Sequence, residues 1–168
     1  HSDSGNTRVT IAANDEAPEY LFGSEVRVTG IGRSTFGADR KRIIGEMIAP
    51  ELNHFRVLSV SVAHFKEHSL TSIREAARKG ISRIIHVRGT LERTGEDWTI
   101  HDDTGSIPVH AIQDGIESYE GITANVLAIV SPSPLGTVLT GAIFAPASEV
   151  APDANGPRPL LTTVESMR

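Results

Sequence analysis

The feature that most constrains the fold of this chain is an internal repeat with a period of about 90–100 residues. Three sets of residues carry the repeat, and each keeps a constant offset: Val9 with Val109 and Val26 with Val126 at 100, Gly45-x-x-x-Ala49-Pro50 with Gly141-x-x-x-Ala145-Pro146 at 96, and Leu70-Thr71-Ser72-Ile73 with Leu161-Thr162-Thr163-Val164 at 91. We therefore expect one complete module, preceded by a copy that lacks its start and followed by one that has barely begun, as in a slice of a longer tandem array.

Composition limits what these modules do. The 168 residues are 39% hydrophobic, and the frequent Val, Ile, Thr and Gly favour strands. The absence of cysteine excludes disulfides, thiolate catalysis and Cys-based zinc sites. The net charge of −5 speaks against a general nucleic-acid binder, which usually shows a basic excess or a basic stripe. A basic cluster occupies residues 33–42, where it is expected at a hairpin tip.

The complete module is predicted to contain five strands, at residues 82–93, 98–101, 107–112, 123–130 and 138–144. A short helix or turn at 114–120 connects the third strand to the fourth. Gly89 inside the long first strand suggests a bulge or a sharp bend. Alternation along the strands predicts an inward-facing core, which consists of Ile85, Val87, Leu91, Ile100, Ile107, Val109, Val126, Ala128 and Ile143.

This order of elements is that of an oligonucleotide/oligosaccharide-binding (OB) barrel. The predicted fold class is therefore mainly β, with one complete OB-fold-like five-stranded barrel and a partial preceding copy. A five-stranded meander from an unrelated small β fold remains the alternative. The predicted organisation is a partial module at residues 7–62, a linker helix within 63–80, the complete module at 81–148, and a linker with the start of a further repeat at 149–168.

The partial module is predicted to hold a strand at residues 7–12, a short helix near 15–22, and strands at 25–31, 42–48 and 54–62. The linker helix spans residues 71–79, where Ser72 and Glu75 have the spacing of a capping box. An incomplete barrel leaves sheet edges open. We therefore expect this half to be completed by packing on the full module, by residues 160–168, or by a second chain.

Two segments resemble a known arrangement. ISRIIHVRGTLERTGEDWTIHDDTGSIPVHA has the cadence of many OB modules, and it is preceded by EVRVTGIGRSTFGADRKRIIGEMIAPELNHFRVL and the SLTSIREA helix. Residues 8–113 thereby resemble the tandem OB-like modules in extracytoplasmic sensor regions of bacterial histidine kinases and related signalling proteins. The resemblance implies a non-catalytic sensor or interaction module of a two-component signal-transduction protein, on the periplasmic side of the membrane. The partners it implies are neighbouring modules, a second copy of the chain, or an unknown small ligand or protein.

Candidate catalytic and metal-binding groups are few. His64 and His68 are four residues apart, but their segment is predicted to be a strand end and linker, so solvated histidines are favoured over metal ligands. The Asp102-Asp103-Thr104-Gly105 run is predicted to be a structural turn in which an Asp side chain accepts backbone hydrogen bonds. The motifs of serine hydrolases, zinc proteases and nucleotide-binding loops do not occur. We therefore expect no enzyme activity, metal or cofactor.

OB folds bind ligands on strands 2 and 3 and on the loops that join strands 1–2 and 4–5. Here the predicted ligand-binding surface contains Arg88, Trp98, His101 and His110, with loops 93–97 and 131–137. Trp98 is expected either to plug the barrel end or to stack on a planar ring. The alternative function to a sensor module is a single-stranded nucleic-acid or oligosaccharide binder, although nucleic acid is disfavoured by the balance of charge. Alternatively, this face packs against the neighbouring module and binds no small ligand.

Overall fold

Ten strands and two short helices occupy the residues that the structure, a computed structural model, describes: 7–12, 18–37, 40–78, 83–134 and 136–150. In chain order the elements are β1 (Arg8–Ile11), β2 (Glu25–Val28), β3 (Ile31–Phe36), β4 (Arg42–Ala49), β5 (Phe55–Ser59), α1 (Ala63–Glu67), α2 (Ile73–Arg78), β6 (Ile84–Thr94), β7 (Asp97–Asp102), β8 (Gly105–Ala111), β9 (Thr123–Ser133) and β10 (Gly136–Pro146). Short 3-10 turns lie at Glu19–Leu21, Leu52–His54 and Ile116–Tyr119. The predicted mainly β class is confirmed.

Strands β6 to β10 close into a barrel in the order β10-β8-β7-β6-β9, with β9 returning to pair with β10. The β8–β10 pair is parallel and the other pairs are antiparallel. Strand β6 is long enough to pair with β9 through its first half and with β7 through its second half. This is the connectivity of an OB barrel, and the 3-10 turn at Ile116–Tyr119 takes the place of its connecting helix.

Gly89 lies where β6 passes from one partner strand to the other. A Cβ atom there would collide with the carbonyl oxygen of His101 and would lie 2.8 Å from Cγ1 of Ile100. The pairing of β6 stays in register through this point on both sides. Close approach of β7 is therefore the reason that glycine is needed here. Of the two predicted features, the bulge is absent from the register, and the sharp bend stays a prediction.

The barrel interior is filled by the residues that alternation predicts, with one exception. Eight of the nine predicted core residues belong to the buried cluster inside the barrel, whereas Ile143 belongs to a second cluster on the barrel's outer side. The alternation of β10 is reset by a bulge in which Gly141 and Ala142 together oppose one residue of β9. Phe144 therefore faces inward where Ile143 was expected, and Ile143 faces outward.

The N-terminal half repeats the second half of the barrel. Its three-stranded sheet, in the order β1-β4-β3, has the same parallel and antiparallel pairs as β8-β10-β9. Gly45 and Gly141, which match in the sequence repeat, both lie in a bulge of the last strand. Gly23 and Gly121 both follow a 3-10 turn with positive φ, 76° and 72°. The repeat in the sequence therefore corresponds to a repeat in backbone geometry.

In the N-terminal copy, β5 takes the place that β6, the first strand, has in the complete barrel. It does so although β5 is the last of the five N-terminal strands along the chain. Val26 pairs with Val57 of β5, as the matching Val126 pairs with Val87 of β6. The strand predicted at 54–62 is shorter in the structure, at Phe55–Ser59, and residues 63–67 form α1 instead of a linker. Phe65 explains the difference, because the helix places its ring in the second core, edge-on to His86 with 5.6 Å between ring centroids.

The two halves are joined by a second hydrophobic core. The N-terminal segment and α1 contribute Tyr20, Ala49, Phe55, Val57 and Phe65, and the outer side of the barrel contributes Ile112, Leu127, Ile143, Ala145 and Val150. At its centre the fully buried Tyr20 donates a 2.7 Å hydrogen bond to the carbonyl oxygen of Gly141, 121 residues away. Packing of the N-terminal half on the full module was one of the three predicted ways to cover it, and this core shows that packing.

Replacing Tyr20 with Phe should lower the free energy of unfolding by about 1–3 kcal/mol, because the buried carbonyl of Gly141 loses its donor. Burial also raises the pKa of Tyr20 well above that of an exposed tyrosine. The contribution of the neutral Tyr20 hydroxyl to the free energy of unfolding is therefore fully present below about pH 10, and it decreases as the pH rises further. Urea denaturation across this range should show a shallower alkaline decline for Tyr20→Phe than for the wild type.

Tyr119→Phe is the matched control for this variant. The Tyr119 hydroxyl is only partly buried and lies 3.4 Å from the carbonyl oxygen of Phe144, so its removal should cost less than about 1 kcal/mol. An equal decrease in the free energy of unfolding in the two variants would show that the Tyr20–Gly141 hydrogen bond contributes no more than the Tyr119 contact.

Gly89→Ala should destabilise the barrel by about 1–3 kcal/mol, because its Cβ has no space between β6 and β7. Gly105→Ala is the control, since a Cβ at Gly105 would make an ordinary 3.9 Å contact with Ile73. In thermal melting, Gly89→Ala should have a clearly lower melting temperature than Gly105→Ala. Similar melting temperatures would contradict the close-approach explanation.

Candidate functional site

A cleft of about 380 Å³ opens on the barrel beside the start of β7 and the end of β8. We call it the β7–β8 cleft. Its lining comes from β5, from the β6–β7 turn with β7, and from β8 with the connection that follows, and the residues are Arg56, Glu96, Asp97, Trp98, Val109, His110, Ala111, Gln113, Asp114, Gly115, Ile116 and Glu117. The cleft thus lies at a junction between the two halves of the chain.

The charge of the cleft is negative. Four carboxylates, Glu96, Asp97, Asp114 and Glu117, line it, against the single guanidinium of Arg56. Arg56 is itself engaged, because its Nη1 donates to the carbonyl oxygens of Asn53 and Phe55. Asp114 lies 3.8 Å from an exposed Arg27, a surface pair that contributes little. The cleft therefore attracts positive charge.

Trp98 provides the apolar part of the cleft. The register pairs it with Val109, and its half-buried ring packs against the barrel core while also lining the cleft. Cζ of Arg93 stands 5.5 Å from the centroid of the ring, within the range of a cation–π contact. The ring thus packs against the barrel core as a barrel-end plug would, and its stacking on a ligand ring stays a prediction.

The structure places the four predicted site residues in three different settings. Trp98 and His110 meet in the β7–β8 cleft. His101 lies on the outer side of β7, where its Nε2 is 3.1 Å from Oε1 of Glu92. Arg88 is held on the β9 side of β6, away from β7. The expected single surface of four residues is therefore divided, because the residues lie at different points along the strands. Arg88 lies where β6 pairs with β9, His101 lies opposite Thr90 of β6, and Trp98 lies opposite Val109 at the other end of β7.

Arg88 belongs to a polar network that the sequence did not predict. Its Nε donates to Oδ1 of the fully buried Asn125 at 3.0 Å, and its Nη2 donates to the carbonyl oxygen of Val150. Nε2 of the buried His86 lies 3.1 Å from the same Asn125 oxygen, and its Nδ1 lies 3.0 Å from the carbonyl oxygen of His68. The network links β6 and β9 to the segments at His68 and Val150. In this structure the hydrogen bonds of Arg88 are therefore made to protein groups.

The loops predicted to contact a ligand are shorter than expected. Residues 93 and 94 belong to β6, residues 131–133 belong to β9, and residues 136 and 137 belong to β10. Position 135 lies outside the described residues, as do residues 160–168. What remains of the first loop is the turn at 95–96, and Glu96 brings that turn into the cleft.

The other histidine candidates have structural surroundings. His64 lies in α1, where its Nε2 is 2.7 Å from the carbonyl oxygen of Phe22 and its Nδ1 is 3.4 Å from Glu67. His68 follows the helix. Across the described ranges, no group of three or more His, Cys, Asp or Glu side chains is arranged to hold a metal ion. Those ranges also contain no helix with the length and hydropathy of a membrane span.

Asp102 has the structural role that its turn predicts. Its Oδ1 accepts hydrogen bonds from the backbone N–H groups of Thr104 and Gly105 and from the Thr104 hydroxyl, at 2.6–3.0 Å. Its Oδ2 accepts a 2.9 Å bond from the backbone N–H of Ile73, at the start of α2. Ser72 caps the same helix through the backbone N–H of Glu75, which confirms the Ser72 half of the predicted capping box. One carboxylate thus joins the β7–β8 turn to α2.

No protein-family model matches this chain, and no curated protein matches it. Several solved structures are similar to it at low identity. The hypothetical protein ygiW from E. coli has 13% identity and a TM-score of 0.39, over 47% of this chain and 92% of that one. A murine DNA binding protein bound with ds DNA has 14% identity and a TM-score of 0.37, over 68% and 66% of the two chains. The p204 HINb domain has 10% identity and a TM-score of 0.37, over 60% and 62%.

Asp102→Asn should destabilise the protein by about 1 kcal/mol at neutral pH, since it weakens a turn and a helix cap. Burial alone would raise the pKa of Asp102, but hydrogen bonds from Ile73, Thr104 and Gly105 hold that pKa below its usual value. The contribution of the ionised form is therefore present above about pH 4 and is lost as the pH falls through the lowered pKa. Chemical denaturation from pH 7 to pH 2 should show the wild-type advantage shrinking with acidification.

The neighbouring variant Asp103→Asn is the control, because Asp103 is exposed in the same turn. It should change stability by less than about 0.5 kcal/mol at every pH. An advantage of Asp102 that persists undiminished at pH 2 would contradict the assignment to the ionised carboxylate.

Proposed function

We propose that this chain is a non-catalytic interaction module whose OB barrel binds a cationic group of a ligand or protein partner in the β7–β8 cleft. The observation that carries the proposal is the meeting of four carboxylates with the partly exposed ring of Trp98 in one cleft. Carboxylates attract an ammonium or guanidinium group, and the guanidinium of Arg93 beside Trp98 shows that this ring lies within reach of a cation.

The position of the cleft supports the proposal. OB folds bind ligands around strands 2 and 3, which here are β7 and β8, and around the loop between strands 1 and 2, which here contains Glu96. His110 and Gln113 add polar groups at the edge of the cleft, and the half-buried ring of Trp98 supplies its apolar surface, since Val109 and Ile116 are buried beneath it. A cationic side chain with an aliphatic stem suits this combination, since its stem packs on apolar surface while its charge meets the carboxylates.

The wider context of the proposal comes from the sequence resemblance. We propose a sensor or interaction role within a bacterial two-component signalling protein, on the extracytoplasmic side of the membrane. The joining of one complete OB barrel to a partial copy through a shared core supports a tandem arrangement. Arg56 of β5 lies at the edge of the β7–β8 cleft, so a ligand bound there would lie beside both halves.

Oligosaccharide binding is the second candidate. Trp98 supports it, because sugar rings pack on indole faces while hydroxyl groups bond to carboxylates and amides. Single-stranded nucleic acid is less compatible with the cleft, because four carboxylates repel a phosphate backbone that basic grooves normally track. Oligosaccharides are neutral and nucleic acids are anionic, whereas the ligand proposed first is cationic. Titration with probes of different charge therefore separates these functions.

The test is a titration monitored by two-dimensional NMR of the Trp98 indole and of the His110 backbone amide. A tri-lysine peptide, a short oligothymidylate and a chitin tetrasaccharide serve as the cationic, anionic and neutral probes. Tri-lysine should shift both signals in a saturable way that weakens with added salt. Asp114→Asn combined with Glu117→Gln should reduce its affinity at least about fivefold, equivalent to about 1 kcal/mol.

Glu25→Gln, which removes an exposed carboxylate from β2 outside the cleft, is the control and should leave the affinity for tri-lysine unchanged. Shifts produced by the tetrasaccharide alone would favour the second candidate. Saturable, salt-sensitive binding of oligothymidylate without binding of tri-lysine would overturn the proposal.

A further inference from the structure

Strand β1 is an edge strand that exposes an apolar side chain where the complete barrel buries one. Val9 is 40% exposed, whereas Val109, its match in the repeat, is 1% exposed. Ile44 of the neighbouring strand β4 is 46% exposed. An open edge strand with an exposed apolar side chain, beside another on the neighbouring strand, is a template for pairing with a further strand.

The complete barrel shows what covers this position. Strand β7 pairs antiparallel with β8 and places Trp98 directly opposite Val109. Strand β1 corresponds to β8, and in the described ranges it pairs with β4 alone. Among the described residues, no strand therefore runs antiparallel to β1 on its free edge.

We propose that a second copy of this chain supplies that strand, through antiparallel pairing of β1 with β1 of the partner about a two-fold axis at Thr10. In this register Val9 stands opposite the partner's Ile11, Thr10 stands opposite the partner's Thr10, and Arg8 stands opposite the partner's Ala12. Apolar residues then meet apolar residues, hydroxyl meets hydroxyl, and no like charges are opposed.

The backbone of β1 is oriented for this pairing. The N–H of Ala12 donates to the carbonyl oxygen of Ala49, and the register pairs Ile11 with Ala49. Along a strand, backbone groups alternate in direction, so the N–H and C=O groups of Val9 and Ile11 are directed to the free edge. In the proposed register these two residues form the hydrogen-bonded pairs, and the two Thr10 residues form a non-hydrogen-bonded pair.

Electrostatics disfavours one alternative register. A shift of the axis to Arg8 would oppose two guanidinium groups across the interface, whereas in the proposed register each Arg8 stands opposite the partner's Ala12 and beside Glu46 of its own β4. The association is weak, because a four-residue strand buries less area than the roughly 1,200–2,000 Å² of a standard interface. The dimer should therefore form at high protein concentration.

The register is tested by cross-linking, because the chain contains no cysteine. Directly opposed residues of a non-hydrogen-bonded pair have Cα atoms about 4.5 Å apart, within the range of a disulfide. Under mild oxidation Thr10→Cys should form a covalent dimer. Arg8→Cys is the matched control, since its thiol would face the partner's Ala12, and it should form dimers at least about tenfold more slowly if thiol proximity sets the rate.

Association of the wild type is measured by sedimentation velocity from about 10 μM to about 1 mM, the range for weak complexes. Val9→Lys should abolish the association, because it places a charge on the edge. Ile31→Lys, on the other face of the same sheet, should leave it intact, and circular dichroism checks that both variants are folded. A wild type that stays monomeric throughout, or equal cross-linking of the two cysteine variants, would overturn the proposal. The first of these outcomes would leave a strand of another protein as the occupant.

Discussion

The bulge of β10 at Gly141 is the point on which the joining of the two halves depends. Two residues of β10 oppose one residue of β9 there, which turns Ile143 to the outer side of the barrel and directs the carbonyl oxygen of Gly141 to Tyr20. Gly141 has a φ of 64°, and a Cβ atom at this position would lie 2.9 Å from the Tyr20 hydroxyl. Glycine is required for both reasons. Without the bulge the outer face would present Phe144 instead of Ile143, and the second core would lose its fit.

The barrel was predictable from the sequence to a large extent, because it is made of local patterns. Alternating apolar residues located its strands, the turn at Asp102 was recognisable from its residues, and eight of the nine core positions follow from period two alone. The error at Ile143 has a definite cause. Alternation assumes an uninterrupted strand, and a bulge shifts the phase by one residue. The matching Gly45 and Gly141 were visible as a repeat, but the sequence does not show that such a glycine is a bulge.

Contacts between distant segments were much less predictable. Asn125 and His86 stand as polar residues among apolar neighbours, which is a sign of a buried network, but their partners at His68, Arg88 and Val150 depend on the tertiary structure. For the same reason the four predicted site residues did not converge. Strand assignments placed Arg88 and Trp98 correctly on neighbouring strands, while the sides on which they lie depend on where β6 changes partner. The carboxylates of the β7–β8 cleft come from four positions that no motif connects.

The long sequence separation between Tyr20 and Gly141 has a consequence for biosynthesis. A ribosome releases β1 to β5 first, yet the surface that covers their apolar side chains is completed only by β10. The barrel of residues 84–146, in contrast, finds its pairing partners within itself. We therefore expect vectorial synthesis to leave the N-terminal strands uncovered until β10 has emerged, so that the barrel folds as a template on which the N-terminal half is assembled.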